Sequence, residues 1–153
     1  MFHSVFISYS HKDEDFAKRL YDALQNAGVR CWYAPHDMRS GKKLHEQIEG
    51  AIHQQDRLLL ILSEASMSSE WVAHEISRAR AREKEQNRQI LFPIALTSME
   101  AIRDWKCFDA DVGKDSAREI REYYIPSFAD WEEPGEFDKA FAKLLDDLRG
   151  PAG

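Results

Sequence analysis

Cysteine is scarce: Cys31 and Cys107 are the two in 153 residues, too few and too far apart for a disulfide scaffold or a zinc site. A reducing, cytoplasmic setting is therefore expected. Basic residues are the minority, 21 Lys and Arg against 27 Asp and Glu, so no nucleic-acid partner is expected. No apolar run approaches the roughly 18 residues of a membrane span, and residues 1–8 have neither a basic region nor a cleavage site, so neither membrane nor signal peptide is expected. The seven glycines never fall into Gly-x-Gly-x-x-Gly, Gly-x-x-x-x-Gly-Lys-Ser/Thr or Gly-x-Ser-x-Gly, which removes the fingerprints of dinucleotide-dependent hydride transfer, Walker-type phosphoryl transfer and the nucleophile elbow. The six histidines (3, 11, 36, 45, 53 and 74) include no pair at metal-ligand spacing. A response-regulator receiver needs carboxylates at the ends of its first and third strands, where this chain has Ser8-Tyr9-Ser10 and Ser63.

What is present alternates between strand and helix. Val5–Tyr9 reads as a first strand, followed by a helix with apolar positions Phe16, Leu20, Ala23, Leu24 and Ala27, stopped by Gly28. Val29–Tyr33 is a short aromatic strand ended by Pro35. The polar loop over 34–43 exceeds the usual 2–6 residues of such a connection, and Leu44, Ile48, Ala51 and Ile52 mark a second helix. Leu58–Leu62 is a continuous apolar run, as expected of a buried parallel strand. A Ser-rich loop follows, in which Ser68 or Ser69 is the expected N-cap of a helix carrying Val72, Ile76 and Ala79 on its sheet-facing stripe. On that helix Trp71 and Glu75 are four residues apart and share a face near its start. Arg78, Arg80, Arg82, Lys84 and Arg88, against Glu83 and Glu85, read as a solvated helix face.

A fourth strand spans Gln89–Leu96, with Pro93 marking either a place where one side lacks a ladder partner or a bulge. Ala101–Trp105 is a short helix, Asp109–Asp115 a polar loop, Tyr123–Pro126 a fifth strand at an edge, and Glu136–Leu148 a last helix. Five alternations predict an α/β fold in three layers, with a five-stranded parallel sheet of order 2-1-3-4-5 and helices on both faces. The carboxyl edge of such a sheet is where ligands bind, which brings Trp71 and Glu75 to the foreground.

Several pieces occur in a telling order: Phe6-Ile7-Ser8-Tyr9-Ser10 with Asp13, the Gly28–Tyr33 strand, the long loop through Gly41, and Ser69-x-Trp71-x-x-x-Glu75. Together they resemble a Toll/interleukin-1 receptor (TIR) domain, and more closely its bacterial branch than the animal adaptors. The resemblance extends through Pro93-Ile94 and the tail from Trp131 to Leu148, so a single TIR domain over residues 1–150 with a flavodoxin-like sheet is expected.

The resemblance carries functional expectations. In catalytically active TIR domains a glutamate four residues after this tryptophan cleaves NAD⁺ at the nicotinamide–ribose bond, and the matching residue is Glu75. It implies an NAD⁺ pocket lined by Ser8, Tyr9, Ser10, Trp32, Tyr33, Ser69 and Trp71. The family's BB loop corresponds to Ala34–Lys43, including Pro35, Asp37, Gly41 and Lys43; where many members carry an acidic residue after the aromatic pair, this chain has Ala34-Pro35, and Asp37 is taken in its place. NAD⁺ is then a substrate, with no cofactor and no metal. Expected partners are other TIR domains packed head to tail through this loop, and a sensor or effector domain outside the chain, in bacterial immune signalling or host interference. Glu75 is expected to face a solvent-filled cleft. ADP-ribose and a cyclic ADP-ribose are both open as products. The competing expectations are a non-catalytic adaptor module, a role in which TIR domains commonly lack the glutamate, and nucleotide sensing without turnover.

Overall fold

The computed structural model describes residues 4–35, 57–69, 71–109 and 114–149. Strand β1 (Val5–Tyr9) is buried along its whole length, because both of its sides are paired. β2 (Cys31–Pro35) and β3 (Arg57–Leu62) flank it in parallel, placing Val5 between Cys31 and Arg57 and Ser8 between Ala34 and Leu60. β4 (Leu91–Ala95) extends the sheet beyond β3, giving the order β2-β1-β3-β4.

Side-chain alternation divides the sheet between two cores. Val5, Ile7, Tyr9, Leu59, Ile61, Phe92 and Ile94 point to one face. There they meet Phe16, Leu20 and Leu24 of α1 (Glu14–Asn26) and Phe137, Leu144 and Leu148 near the carboxyl terminus. Phe6, Leu58, Leu60, Leu62 and Leu91 point to the other, against Val72, Ile76 and Ala79. Each buried Leu, Ile or Phe contributes about 1.5–3 kcal/mol, so the three-layer arrangement follows from the alternation. Helix α1 ends as the glycine predicts. Gly28 takes φ 83°, and its N–H reaches the Gln25 carbonyl while that of Val29 reaches Leu24, a Schellman closure that an L side chain at position 28 would strain.

After β3 come α2 (Glu64–Met67) and α3 (Trp71–Gln86); after β4 come α4 (Met99–Asp104), α5 (Ser116–Ile120) and α6 (Glu136–Arg149). The segment read as a polar loop holds a short antiparallel pair, β5 (Phe108–Asp109) with β6 (Lys114–Asp115). The tail returns to the α1 face through edge-on aromatic contacts of Phe16 with Phe128 and Trp131, both at 5.4 Å between centroids. Among the described residues no helix is long and apolar enough to cross a membrane.

The fifth strand is a correction. Among the described residues the parallel sheet has four strands; 123–126 forms no strand, and the chain there makes only an isolated parallel bridge just beyond it, between Ala95 and Ser127. The cause lies in how the outer groups of β4 are occupied. Ala95 donates to the Pro126 carbonyl at 2.9 Å and accepts from the Phe128 N–H at 2.7 Å. Residues 93 and 91, at two-residue intervals, face the same way. Pro93 has no N–H to offer there. The Leu91 N–H is taken by Glu83 Oε2 at 2.8 Å, and its carbonyl by the Gln89 side-chain amide at 2.8 Å. Tyr123 turns its hydroxyl to Glu83 Oε1. Side chains thus fill the place of a ladder.

Candidate functional site

Two walls meet at the carboxyl ends of β1 and β3, where the chain order of the strands diverges and where open α/β sheets bind ligands. The first wall is the end of β1. Ser8, two residues on from Phe6, points to the α3 face; its hydroxyl is fully buried and has no hydrogen-bond partner among the described residues. Ser10 is also buried and caps the turn His11–Asp13, its Oγ accepting from the Lys12 N–H. Tyr9 departs from expectation. Its ring belongs to the core on the opposite, α1 face and is fully buried, so its side chain is a packing element there.

The second wall is the start of α3. Trp71 is half-buried and packs beside the second core. One turn on, Glu75 is only 1% exposed, among Val72, Ile76 and Ala79. This corrects the expectation of a solvent-filled cleft: the stripe that seats α3 on the sheet is wide enough to include position 75, so its carboxylate lies where only specific partners make an ionised group affordable.

The loop joining β3 to α3 is built by serines. Ser63 and Ser66 form a capping box for α2, and the Ser66 hydroxyl also donates to the Ile61 carbonyl at 2.7 Å. The Ser69 hydroxyl donates back to the Ser66 carbonyl. Ser63 Oγ donates to Asp13 Oδ2, tying this loop to the turn after β1. Trp105 Nε1 donates to the Met67 carbonyl at 3.0 Å. The Asp13–Ser63–Ser66 set had a legible signal, the Ser-x-x-Ser spacing of a capping box, but its link to Asp13 is tertiary.

Trp32 and Tyr33 lie in register with Phe6 and Ile7 at the far side of β1, and Pro35 with Tyr9; only their backbone is described. Asp37, Gly41, Lys43 and the helix expected over 44–52 lie outside the described residues. The charged stretch of α3 is not merely a solvated face. Arg80 pairs with Glu119 at 2.8 Å and Glu122 at 3.1 Å, and Glu83 accepts from the Ile90 and Leu91 N–H groups. Burial pushes the Tyr123 phenol well above its ordinary range, reinforced by the hydrogen bond to Glu83. A groove of about 960 Å³ runs beside β4 past Pro93, Tyr124 and Lys143. An acidic crevice of about 830 Å³ lies over Asp13, Ser63, Glu64 and Trp131. Neither is lined by Trp71 or Glu75. No group of His, Cys, Asp and Glu among the described residues is arranged to hold a metal.

Comparison with known proteins agrees with the fold. The 2' cyclic ADP-D-ribose synthase AbTIR of Acinetobacter baumannii is 29% identical over 90 residues, covering 58% of this chain and 34% of that protein. The NAD(+) hydrolase TcpA of a Theionarchaea archaeon is 29% identical over 90 residues, covering 58% and 27%. The chain thus spans about a third or less of the length of these relatives. The TIR domains of the activated Roq1 resistosome superpose with a TM-score of 0.67 over 95% of this chain and 99% of theirs at 17% identity, a likeness of fold. The family model for the TIR domain matches residues 5–124, and the chain belongs to the TIR domain family.

Proposed function

We propose that this chain cleaves NAD⁺ at the nicotinamide–ribose bond, with Glu75 stabilising the ribosyl cation that remains. The observation that carries the reading is Glu75 itself: a carboxylate 1% exposed on an otherwise apolar helix face, one turn from Trp71. A glutamate with no task beyond solubility belongs on the outer face of α3. Relatives named as an NAD(+) hydrolase and a cyclic ADP-D-ribose synthase support the same chemistry.

One carboxylate is enough for it. Ordinary glycosidases need a second to protonate the leaving oxygen, whereas nicotinamide already carries the positive charge and departs neutral. A buried carboxylate acts in a low dielectric, where its attraction for the oxocarbenium-like ribose is strongest, and it accepts a hydrogen bond from a ribose hydroxyl. Trp71, Trp32 and Tyr33 stack on the flat rings, at about 1–3 kcal/mol per base. Ser8, Ser10 and Ser69, with Asp37, contribute polar contacts. Water captures the cation as ADP-ribose; an adenine nitrogen captures it as a cyclic ADP-ribose.

The unit proposed to carry this is the single domain of residues 1–150, assembling with further TIR domains through Pro35, Asp37, Gly41 and Lys43, and serving bacterial immune signalling or host interference together with a sensor or effector outside the chain. The test is free nicotinamide released by the purified chain from NAD⁺. Release abolished by Glu75→Gln supports the reading. No release at any protein concentration would return the chain to the non-catalytic adaptor reading.

A further inference from the structure

We infer that Asp13, Ser63 and Ser66 are positioning residues that hold the start of α3, and through it Trp71 and Glu75, in fixed register with the end of β1. The inference rests on the proposed role of Glu75 and adds the device that aims it.

The geometry is a chain of hydrogen bonds in which each link fixes the next. Asp13 closes the turn after β1, its N–H on the Ser10 carbonyl at 2.8 Å. Its carboxylate receives the Ser63 hydroxyl at the end of β3. Ser63 Oγ accepts the Ser66 N–H at 3.2 Å, and the Ser63 N–H is received by Ser66 Oγ at 2.9 Å. Ser66 Oγ donates to the Ile61 carbonyl inside the sheet, and the Ser66 carbonyl accepts both the hydroxyl and the N–H of Ser69, the latter at 3.1 Å. Trp71 begins α3 two residues later. Ser66 is fully buried and Ser63 nearly so, which strengthens each bond relative to one in water.

Plain loop closure does not need this. Helix α2 is a single turn, and a capping box alone would satisfy its first N–H groups. The Asp13 link spans 50 residues of sequence and joins the strand end carrying Ser8 and Ser10 to the loop carrying Ser69. It therefore couples the two walls of the proposed site, and α3 cannot slide along the sheet without breaking it. A carboxylate that stabilises a cation must sit within hydrogen-bond reach of the ribose, and a misplacement of about 1 Å can cost about 10²-fold in rate.

The experiment compares wild type with Asp13→Ala, Ser63→Ala, Ser66→Ala, the hydroxyl-retaining Ser63→Thr, and Leu145→Ala as a control weakened on the opposite core. NAD⁺ cleavage is resolved into kcat and KM below every melting point, and amide exchange is followed over 64–76. Each of the three alanine variants at 13, 63 and 66 should lower kcat about 10- to 100-fold with KM held within a factor of about two, since remote contacts still bind the substrate. Exchange over 67–76 should rise in the same variants, and Ser63→Thr should restore both. Leu145→Ala should lower the melting temperature and leave kcat alone. Wild-type kcat with unchanged exchange in the alanine variants would overturn the inference, as would an equal fall in Leu145→Ala or no recovery in Ser63→Thr. Full turnover by Glu75→Gln would refute the catalytic reading instead, and the exchange data would then decide by themselves whether the chain of serines holds α3.

Discussion

Glu83 is placed to be worth more to stability than any exposed glutamate should be. Its Oε2 accepts from the N–H groups of Ile90 and Leu91, both at 2.8 Å, and its Oε1 from the Tyr123 hydroxyl. Ile90 and Leu91 are buried. Glu83→Ala strands both N–H groups at the start of β4, at about 1–3 kcal/mol each. Because Glu83 is half-buried, water reaches part of the gap, and a total of about 3 kcal/mol is the working figure. For a domain of this size about 2–4 °C is lost per kcal/mol, so the melting temperature should fall by about 6–12 °C. Glu83→Gln keeps an oxygen for the two N–H groups and turns its amide to the phenol oxygen, so it should cost no more than about 1 kcal/mol. Thermal melts followed by circular dichroism separate the two variants. Spectrophotometric titration supplies a second readout, because the alanine variant removes a cause of the raised Tyr123 pKa and the phenol should ionise at lower pH. The alanine variant also uncovers the outer edge of β4, and its scattering should grow with concentration. Equal melting temperatures for alanine, glutamine and wild type would refute the argument that side chains stand in for a fifth strand.

Further predictions concern the cysteines, Trp71 and assembly. Burial pushes the Cys31 thiol from 9.0 up to about 11, so folded protein keeps a proton that the unfolded chain surrenders. Its stability contribution is intact below pH 9 and lost by about 2–3 kcal/mol as pH rises to 11, a decline that Cys31→Ala should lack in urea melts. With Cys31 only 7% exposed, a thiol reagent at pH 8 should label Cys107 first and Cys31 only on unfolding; two equally fast thiols would contradict this. Trp71→Ala removes a half-buried ring and should cost about 1–3 kcal/mol, less than the 3–5 of a full core aromatic. Turnover should fall with it, and a destabilised but fully active variant would leave Trp71 a packing residue alone. Turnover per protomer should rise with protein concentration, and Gly41→Pro should abolish the rise; constant turnover from a monomer over a hundredfold range would show that one chain completes its site.

The sheet was legible where one periodicity dominated. Leu58–Leu62, a short unbroken apolar run, reads as a buried strand, and the Phe16-Leu20-Leu24 stripe with Gly28 behind it specifies a helix and its end. The absence of a fifth strand is not legible because Tyr123-Tyr124-Ile125 has strand-like composition, while the competitor that displaces it, Glu83, lies 40 residues away in sequence. Of the candidate site, spacing placed Trp71 and Glu75 on one helix, and the family resemblance proposed their role. The depth at which Glu75 sits was beyond periodicity, since a glutamate at the margin of an apolar stripe reads the same whether it faces solvent or sheet. The resemblance places Tyr9 in the pocket, whereas alternation from Val5 and Ile7 points its ring to the other face. The link through Asp13 is invisible in the sequence because its partner, Ser63, is brought to it only by the pairing of β1 with β3.

Glu75 is proposed as the group that stabilises the ribosyl cation, and a single substitution that removes its charge reads that role. Wild type and Glu75→Gln are incubated with NAD⁺ at matched concentration, and nicotinamide and both candidate ribosyl products are separated chromatographically. Glutamine keeps the size and helix propensity of the buried side chain and removes its charge, so the fold should survive while nicotinamide release falls at least about 10²-fold. A folded Glu75→Gln protein that releases nicotinamide at the wild-type rate would contradict the account.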